Sequence, residues 1–218
     1  MIFMKSVLLI GAGGFGKHLA EKLIEMKYEV MVIDRDEELV NDVLPFVTAA
    51  QIGDCTDKDV LSNVDVENFD ACFVTIRKSF QDSLETTSLL KELGAKRVVS
   101  FATNEVQEKF LLRNGADAVI FPEKQFASWA AMRYTTNNIF DYVRLDDEYS
   151  MFEVAAPDYF VGKTIGQLAI RQKHGINIIG IKKGNVLDVS LTPDTVIADG
   201  ERLFVVGSIK NVRKCFDV

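Results

Sequence analysis

The sequence predicts an α/β protein: a Rossmann-like doubly wound parallel sheet followed by a small α+β C-terminal domain. Three observations carry that prediction. From Ser6 to about Phe121, short unbroken apolar runs alternate with longer segments whose apolar residues recur at helical intervals, which is the rhythm of strands buried on both faces and joined by crossover helices. A glycine-rich loop, Gly11-Ala12-Gly13-Gly14-Phe15-Gly16, follows the first of these runs directly. After about residue 146 the rhythm changes to closely spaced strands separated by turn signals.

Strands are expected at residues 7–10, 30–33, 49–52, 71–76, 98–101 and 118–121, a set that suits a doubly wound sheet. Phe15, Leu19, Leu23 and Met26 recur at helical spacing, and similar stripes run from Leu84 to Leu93 and from Val106 to Leu112. Each stripe is expected to face the sheet as core. Leu93-Gly94 and Asn114-Gly115 mark helix ends, because glycine takes the left-handed conformation that turns the chain out of a helix. Residues 122–138 hold the sole tryptophan, Trp129, with Phe126, Ala130 and Met132, and read as a crossover helix. An acidic patch, Asp146-Asp147-Glu148, precedes strands at 151–154, 176–181, 186–189 and 203–206, a helical stretch at 165–173 and a last helix with Ser208 as its N-cap. Lys183-Gly184-Asn185 and Asp199-Gly200 supply turns between them. The expected organisation is a nucleotide-binding domain over 1–121, a crossover helix and linker over 122–145, and a small α+β domain over 146–218.

Composition excludes several classes of function. At 218 residues and 48% hydrophobic content the chain can bury a sizeable core. A net charge of −7 gives it no basic footprint for nucleic acid or an anionic membrane surface. Cys55, Cys72 and Cys215 are widely spaced and odd in number, which argues against a disulfide framework or a zinc site and points to a reducing cytoplasm. The apolar runs are strand-length, so no membrane-spanning helix is expected. The opening Met-Ile-Phe-Met-Lys lacks the charged region and cleavage site of a secretion signal.

The glycine loop is the strongest chemical signal. Gly11 permits a tight turn, Gly13 lets backbone N–H groups approach a phosphate, Gly16 lets helix and strand pack closely, and the helix N-terminus faces the anion. Ala12, Gly14 and Phe15 complete the loop. Asp34 ends the second strand 18 residues beyond Gly16, where a carboxylate accepts hydrogen bonds from ribose hydroxyls and disfavours a 2′-phosphate; its other reading is a cap for the next helix. Arg35 beside it softens the discrimination against NADP. Gly53-Asp54-Cys55-Thr56 follows the third strand as a ligand-facing loop or a helix start, and Thr75-Ile76-Arg77 closes the fourth, with Arg77 either a cation for phosphate or a solvated arginine. His18 and His174 are not placed for proton exchange beside a nicotinamide, and no Ser-His-Asp, Cys-His or tyrosine-lysine arrangement emerges. A cofactor site without catalytic residues favours a non-enzyme, with a small NAD-dependent oxidoreductase as the alternative.

Taken with the stretch Gly115-Ala116-Asp117-Ala118-Val119-Ile120-Phe121-Pro122-Glu123-Lys124 and the pattern Pro193-Asp194-Thr195-Val196-Ile197-x-x-Gly200, these motifs make the sequence resemble the cytoplasmic regulatory subunits of bacterial Ktr/Trk potassium transporters over nearly the whole chain. The resemblance implies RCK domains that pair as dimers and assemble into an octameric ring beneath a membrane potassium channel subunit, with ATP, ADP or NAD(H) in the Rossmann cleft changing the shape of the ring. It also implies that Ala12 to Gly16 hold phosphates, that Asp34 holds the ribose, that Asp54 and Cys55 lie near the base, and that Thr75 and Ile76 line the cleft. Many Ktr proteins have arginine where this chain has Gly14 and a lysine or arginine where it has Phe101. With both cations absent, NAD(H), AMP and ADP stand beside ATP as ligands, and Arg77 or Lys78 can substitute. Glu123 matches a carboxylate that helps bind a divalent cation between subunits. Arg171, Asn177, Ile178 and Pro193 match segments that bind cyclic di-AMP, although an aspartate usual in that motif is Ala169 here.

Overall fold

The computed structural model describes residues 5–136 and 138–216; the first four residues, read above for a leader, lie outside it. The chain divides into two compact units, Met1–Glu123 and Lys124–Val218.

In the first unit β1 (Ser6–Ile10), β2 (Glu29–Asp34), β3 (Ala49–Ile52), β4 (Ala71–Val74), β5 (Val98–Phe101) and β6 (Ala118–Ile120) form one sheet in the order β3-β2-β1-β4-β5-β6. Every pairing is parallel. The helices between them are α1 (Gly14–Glu25), α2 (Glu37–Val43), α3 (Lys58–Ser62), α4 (Phe80–Glu92) and α5 (Glu105–Arg113). This is the Rossmann-like doubly wound sheet, and it forms because its central strands are apolar on both faces. In β1, Leu8 and Ile10 pack with Cys72, Val74 and Leu90, while Val7 and Leu9 pack with Ala20, Leu23, Val30 and Val32 on the opposite face. Each such fully buried side chain contributes roughly 1.5–3 kcal/mol. The strand order reverses between β1 and β4, and ligands of open α/β sheets bind at the carboxyl ends of the strands at such a point.

Helix ends follow local chemistry. Asp36, Asp57, Ser79 and Asn104 each accept a backbone hydrogen bond in the first turn of α2, α3, α4 and α5. Gly94 (φ 82°) and Gly115 (φ 111°) turn the chain out of α4 and α5.

The 106–112 stripe is not core: Val106, Phe110 and Leu112 are exposed and Leu111 alone is buried, against Ala102 and Ala116. Met26, at the C-cap of α1, is also exposed. The fourth strand ends at Val74, short of the expected residue 76; beyond it the Thr75 amide donates to the Ile10 carbonyl at 2.8 Å and its hydroxyl reaches the Ile10 and Gly11 carbonyls.

The second unit holds a sheet of order β10-β9-β11-β8-β7, antiparallel throughout. Its strands are β7 (Ile139–Arg144), β8 (Tyr149–Ala155), β9 (Asn177–Lys183), β10 (Val186–Asp188) and β11 (Arg202–Ser208). The helix α6 (Pro122–Thr135) precedes them, α7 (Ile165–Leu168) and α8 (Ile170–His174) lie between β8 and β9, and α9 (Ile209–Phe216) ends the chain. Strand β7 falls in the stretch expected to be linker. The acidic patch is the turn of the β7–β8 hairpin: Asp146 accepts from the amides of Glu148 (2.8 Å) and Tyr149 (2.6 Å), and those bonds hold its carboxyl below the usual range. The helical stretch at 165–173 is broken at Ala169, which takes a left-handed φ of 50°. Ser208 accepts from the Asn211 amide at 3.3 Å, the capping contact expected of it. Phe152, Val154, Leu203, Val205 and Phe216 centre the core. Glu153, 8% exposed on the other face of β8, is neutralised by Lys182 (3.2 Å) and Arg202 (3.1 Å).

Candidate functional site

The glycine loop joins β1 to α1 and its residues divide into two jobs. Gly11 has a φ of 102° and donates to the Ile33 carbonyl at 2.8 Å, while its own carbonyl lies 2.7 Å from Thr75 Oγ1. A Cβ on Gly16 would sit 2.0 Å from that same carbonyl oxygen, so helix and strand touch backbone to backbone. Ala12 is 2% exposed and its amide donates to Asp34 Oδ2 at 2.7 Å. Ala12 and Gly16 therefore shape the loop without lining the cleft. Gly13 and Gly14 differ: a Cβ on either would meet nothing within 4 Å. No side chain caps α1 and no acid stands in its first turn, unlike α2 to α5. Its first-turn N–H groups and its positive dipole end therefore face the cleft as an anion cradle.

The cleft is a cavity of about 290 Å³. Gly11, Gly13, Gly14 and Phe15 form one side; Asp34, Arg35, Asp54, Cys55, Thr75, Ile76 and Arg77 form the remainder of the expected wall. The second oxygen of Asp34 accepts from the Asp36 amide at 2.9 Å, so its carboxylate is oriented from both sides. Asp54 accepts from the Thr56 amide (3.0 Å) and hydroxyl (2.8 Å), which lowers its carboxyl pKa and builds the turn into α3. Asp57, and not Asp54, caps α3. Arg35 pairs with Asp82 at 3.1 Å. Arg77 lies with its guanidinium carbon 5.0 Å from the centre of the Phe101 ring and donates to Glu123 at 2.5 Å; Phe101 in turn meets Phe15 edge-on at 5.1 Å.

Sequence reasoning missed Asp36, Leu39 and Asp82 in the wall. Ser79 and Asp82 carry a helix-start spacing, which marks α4 but not a ligand; Leu39 carried no signal at all.

Cys55 is 4% exposed, and burial, then Asp54 and Asp34, push its thiol up to about 12. Burial pushes Cys72 up to about 12 against the opposing charge of Lys91, and it raises Cys215 as well. All three should therefore stay protonated at neutral pH and resist iodoacetamide in the native protein, reacting only after denaturation. Mass spectrometry of the native protein labelled at pH 8 checks this; rapid native labelling of Cys55 would overturn it.

A second cavity, of about 370 Å³, lies in the second unit. Arg171, Asn177, Ile178 and Pro193 all line it, with Ala169 among them. His18 is an exposed partner of Glu21 on α1, and neither it nor His174 lines either cavity. Among the described residues no group of three or more His, Cys, Asp or Glu is arranged to hold a metal, and no helix is long and apolar enough to cross a membrane.

Fold and cleft together define a two-unit protein whose Rossmann-like half opens a glycine-loop cleft at the switch point of its parallel sheet. The chain belongs to the TrkA family: the TrkA-N domain model matches residues 7–122 and the TrkA-C domain model residues 149–217. It is 39% identical to Ktr system potassium uptake protein C of Bacillus subtilis over 96% of this chain and 95% of that one. Ktr system potassium uptake protein A of the same organism is 33% identical with the same coverage. Among solved structures, the RCK domain of GsuK superposes with a TM-score of 0.68 at 18% identity, over 99% of this chain and 48% of that one. The GsuK channel bound to NAD gives 0.69 at 19% identity, over 96% of this chain and 38% of that one. The chain thus spans less than half of these GsuK chains, and the likeness is one of fold.

Proposed function

We propose that this chain is the nucleotide-sensing regulatory subunit of a Ktr-type potassium-uptake system, acting from the cytoplasmic side on a membrane channel subunit. The observation that carries the reading is the uncapped N-terminus of α1 opening on a cavity that also holds the Asp34 carboxylate. Full-length identity to Ktr proteins supports the system to which it belongs.

In this reading residues 1–121 bind an adenine nucleotide: NAD(H), ATP, ADP or AMP. Amides of Gly13, Gly14 and Phe15 take phosphate, Asp34 takes ribose hydroxyls, and Asp54 and Cys55 lie beside the base. Thr75 and Ile76 floor the cleft, and Arg77 and Lys78 supply cations that Gly14 and Phe101 do not. Each charge-assisted contact contributes roughly 1.5–3 kcal/mol, so a diphosphate or dinucleotide suits the cleft at least as well as a triphosphate. Glu123 serves a divalent cation between subunits once it leaves Arg77. The chain passes through α6 into the antiparallel unit, where Arg171, Asn177, Ile178 and Pro193 bind cyclic di-AMP. Subunits pair as dimers and form an octameric ring, and a ligand shifts the ring by its differential affinity for two shapes. No residue is assigned a catalytic role.

Calorimetric titration with ATP, ADP, NADH and cyclic di-AMP, with light scattering for assembly size, tests this. At least one adenine nucleotide should bind in the micromolar range or tighter. Binding by none would reject the reading, and consumption of NADH with a substrate would replace it with an oxidoreductase.

A further inference from the structure

Arg77 stands where three groups meet. It lines the nucleotide cleft, its guanidinium lies over the Phe101 ring at 5.0 Å, and its Nη2 donates to Glu123 Oε1 at 2.5 Å. The Phe101 face is rigid, since that residue is 3% exposed and braced by Phe15. The arginine backbone is fixed as well, two residues after the Thr75 hydroxyl that grips Gly11. The ion pair itself is half exposed, with side-chain exposures of 52% for Arg77 and 47% for Glu123. Such a pair holds a geometry while contributing little to stability, so it exchanges partners at low cost.

Glu123 belongs to the first turn of α6, the helix through which the chain leaves the first unit. We propose that Arg77 is a charge switch. Without ligand it tethers the start of α6 to the loop after β4. A phosphate seated on the α1 amides then draws the guanidinium away from Glu123 and releases that tether. This inference rests on the nucleotide reading and deepens it, because it names the contact by which cleft occupancy reaches α6.

The chemistry favours the exchange. A guanidinium offers five N–H donors in a planar fork, which phosphate oxygens can engage bidentately. A phosphate seated on the α1 amides is itself held by the helix N-terminus, so it presents a fixed acceptor, and the terminal phosphate of ADP also carries more charge than a carboxylate. Glu123 loses a partner but keeps the favourable field of the α6 N-terminus, so the helix start stays formed while its anchorage changes.

Calorimetry on the full chain, with ADP and NADH as probes and EDTA present to remove metal bridging, tests the exchange through a double-mutant cycle. E123Q should tighten both probes by roughly threefold to fivefold, since it removes the competitor for Arg77. R77Q should weaken them by about tenfold or more, the lower end of a lost charge-assisted contact. In the R77Q background E123Q should then change nothing. Hydrogen exchange supplies a second readout: ADP should speed exchange at the amides of Phe126 and Ala127, whose helical acceptors lie in the first turn, and E123Q should show the faster rate without ligand. Weakened or unchanged affinity in E123Q, an E123Q effect that persists without Arg77, or binding with no change in exchange would overturn the switch while leaving the nucleotide reading intact. Absence of binding in the wild-type chain would reject both.

Discussion

Gly16→Ala should destabilise the first unit by about 3 kcal/mol or more, a large effect for one methyl group. The added Cβ would lie 2.0 Å from the Gly11 carbonyl oxygen, 3.0 Å from the Gly11 carbonyl carbon and 3.0 Å from Thr75 Oγ1. Two of the three are backbone atoms and cannot swing aside. Gly11 is pinned through its amide to Ile33 and through its carbonyl to Thr75, and its φ of 102° belongs to glycine. Relief therefore requires α1 to lift off the sheet, which withdraws the amides that cradle an anion. Urea unfolding followed by far-ultraviolet circular dichroism should show the first loss of structure at much lower denaturant, and calorimetry should show nucleotide binding abolished. Gly14→Ala is the internal control. Its Cβ meets nothing within 4 Å and it sits at the first position of α1, so its stability should stay within about 0.5 kcal/mol of wild type. A small effect at Gly16 would mean that helix and strand are not in the contact described.

What was legible in the sequence was what periodicity and local chemistry write down. The β1 run was readable because Val7 to Ile10 are buried on alternating faces of a strand covered on both sides, which removes polar residues altogether. The glycine loop was readable because tight turns and close approach admit few other residues. Strand β7 was not readable. Only Ile139 in it is fully buried, and the register shifts between Ile139 and Asp141, where Asp141 accepts from the Trp129 indole, so the two-residue alternation that would mark a strand is interrupted. The 106–112 stripe shows the converse failure. Helical spacing places residues on one face, yet it cannot say whether that face meets the sheet or leaves it, and here Val106 and Phe110 leave it. In the site, the place of Asp34 was legible while its grip on the Ala12 amide was not. Arg77 and Glu123 lie 46 residues apart, and no local pattern joins them.

Asp34→Ala should weaken adenine nucleotide binding by roughly 100-fold, because a carboxylate accepting from a ribose diol makes charge-assisted bonds of roughly 1.5–3 kcal/mol each. It should also cost stability. Ala12 is 2% exposed, so its amide, now satisfied by Asp34 at 2.7 Å, would be left buried without an acceptor, a penalty of about 1–3 kcal/mol. The second oxygen serves the Asp36 amide at 2.9 Å, on a residue only partly buried, where water can substitute. Asp34→Asn separates the two jobs. Its amide oxygen can accept from only one of those backbone N–H groups, and its NH2 then points at the other, donor against donor. Asn should therefore be no more stable than Ala despite its closer shape, whereas its remaining oxygen should restore part of the ribose contact and leave affinity between Ala and wild type. Denaturant midpoints and calorimetric affinities for the two variants give four numbers that must fall in that order. Lost stability with wild-type affinity in both variants would assign Asp34 to holding the glycine loop alone, and the sugar of any ligand would have to be held by another group in the cleft.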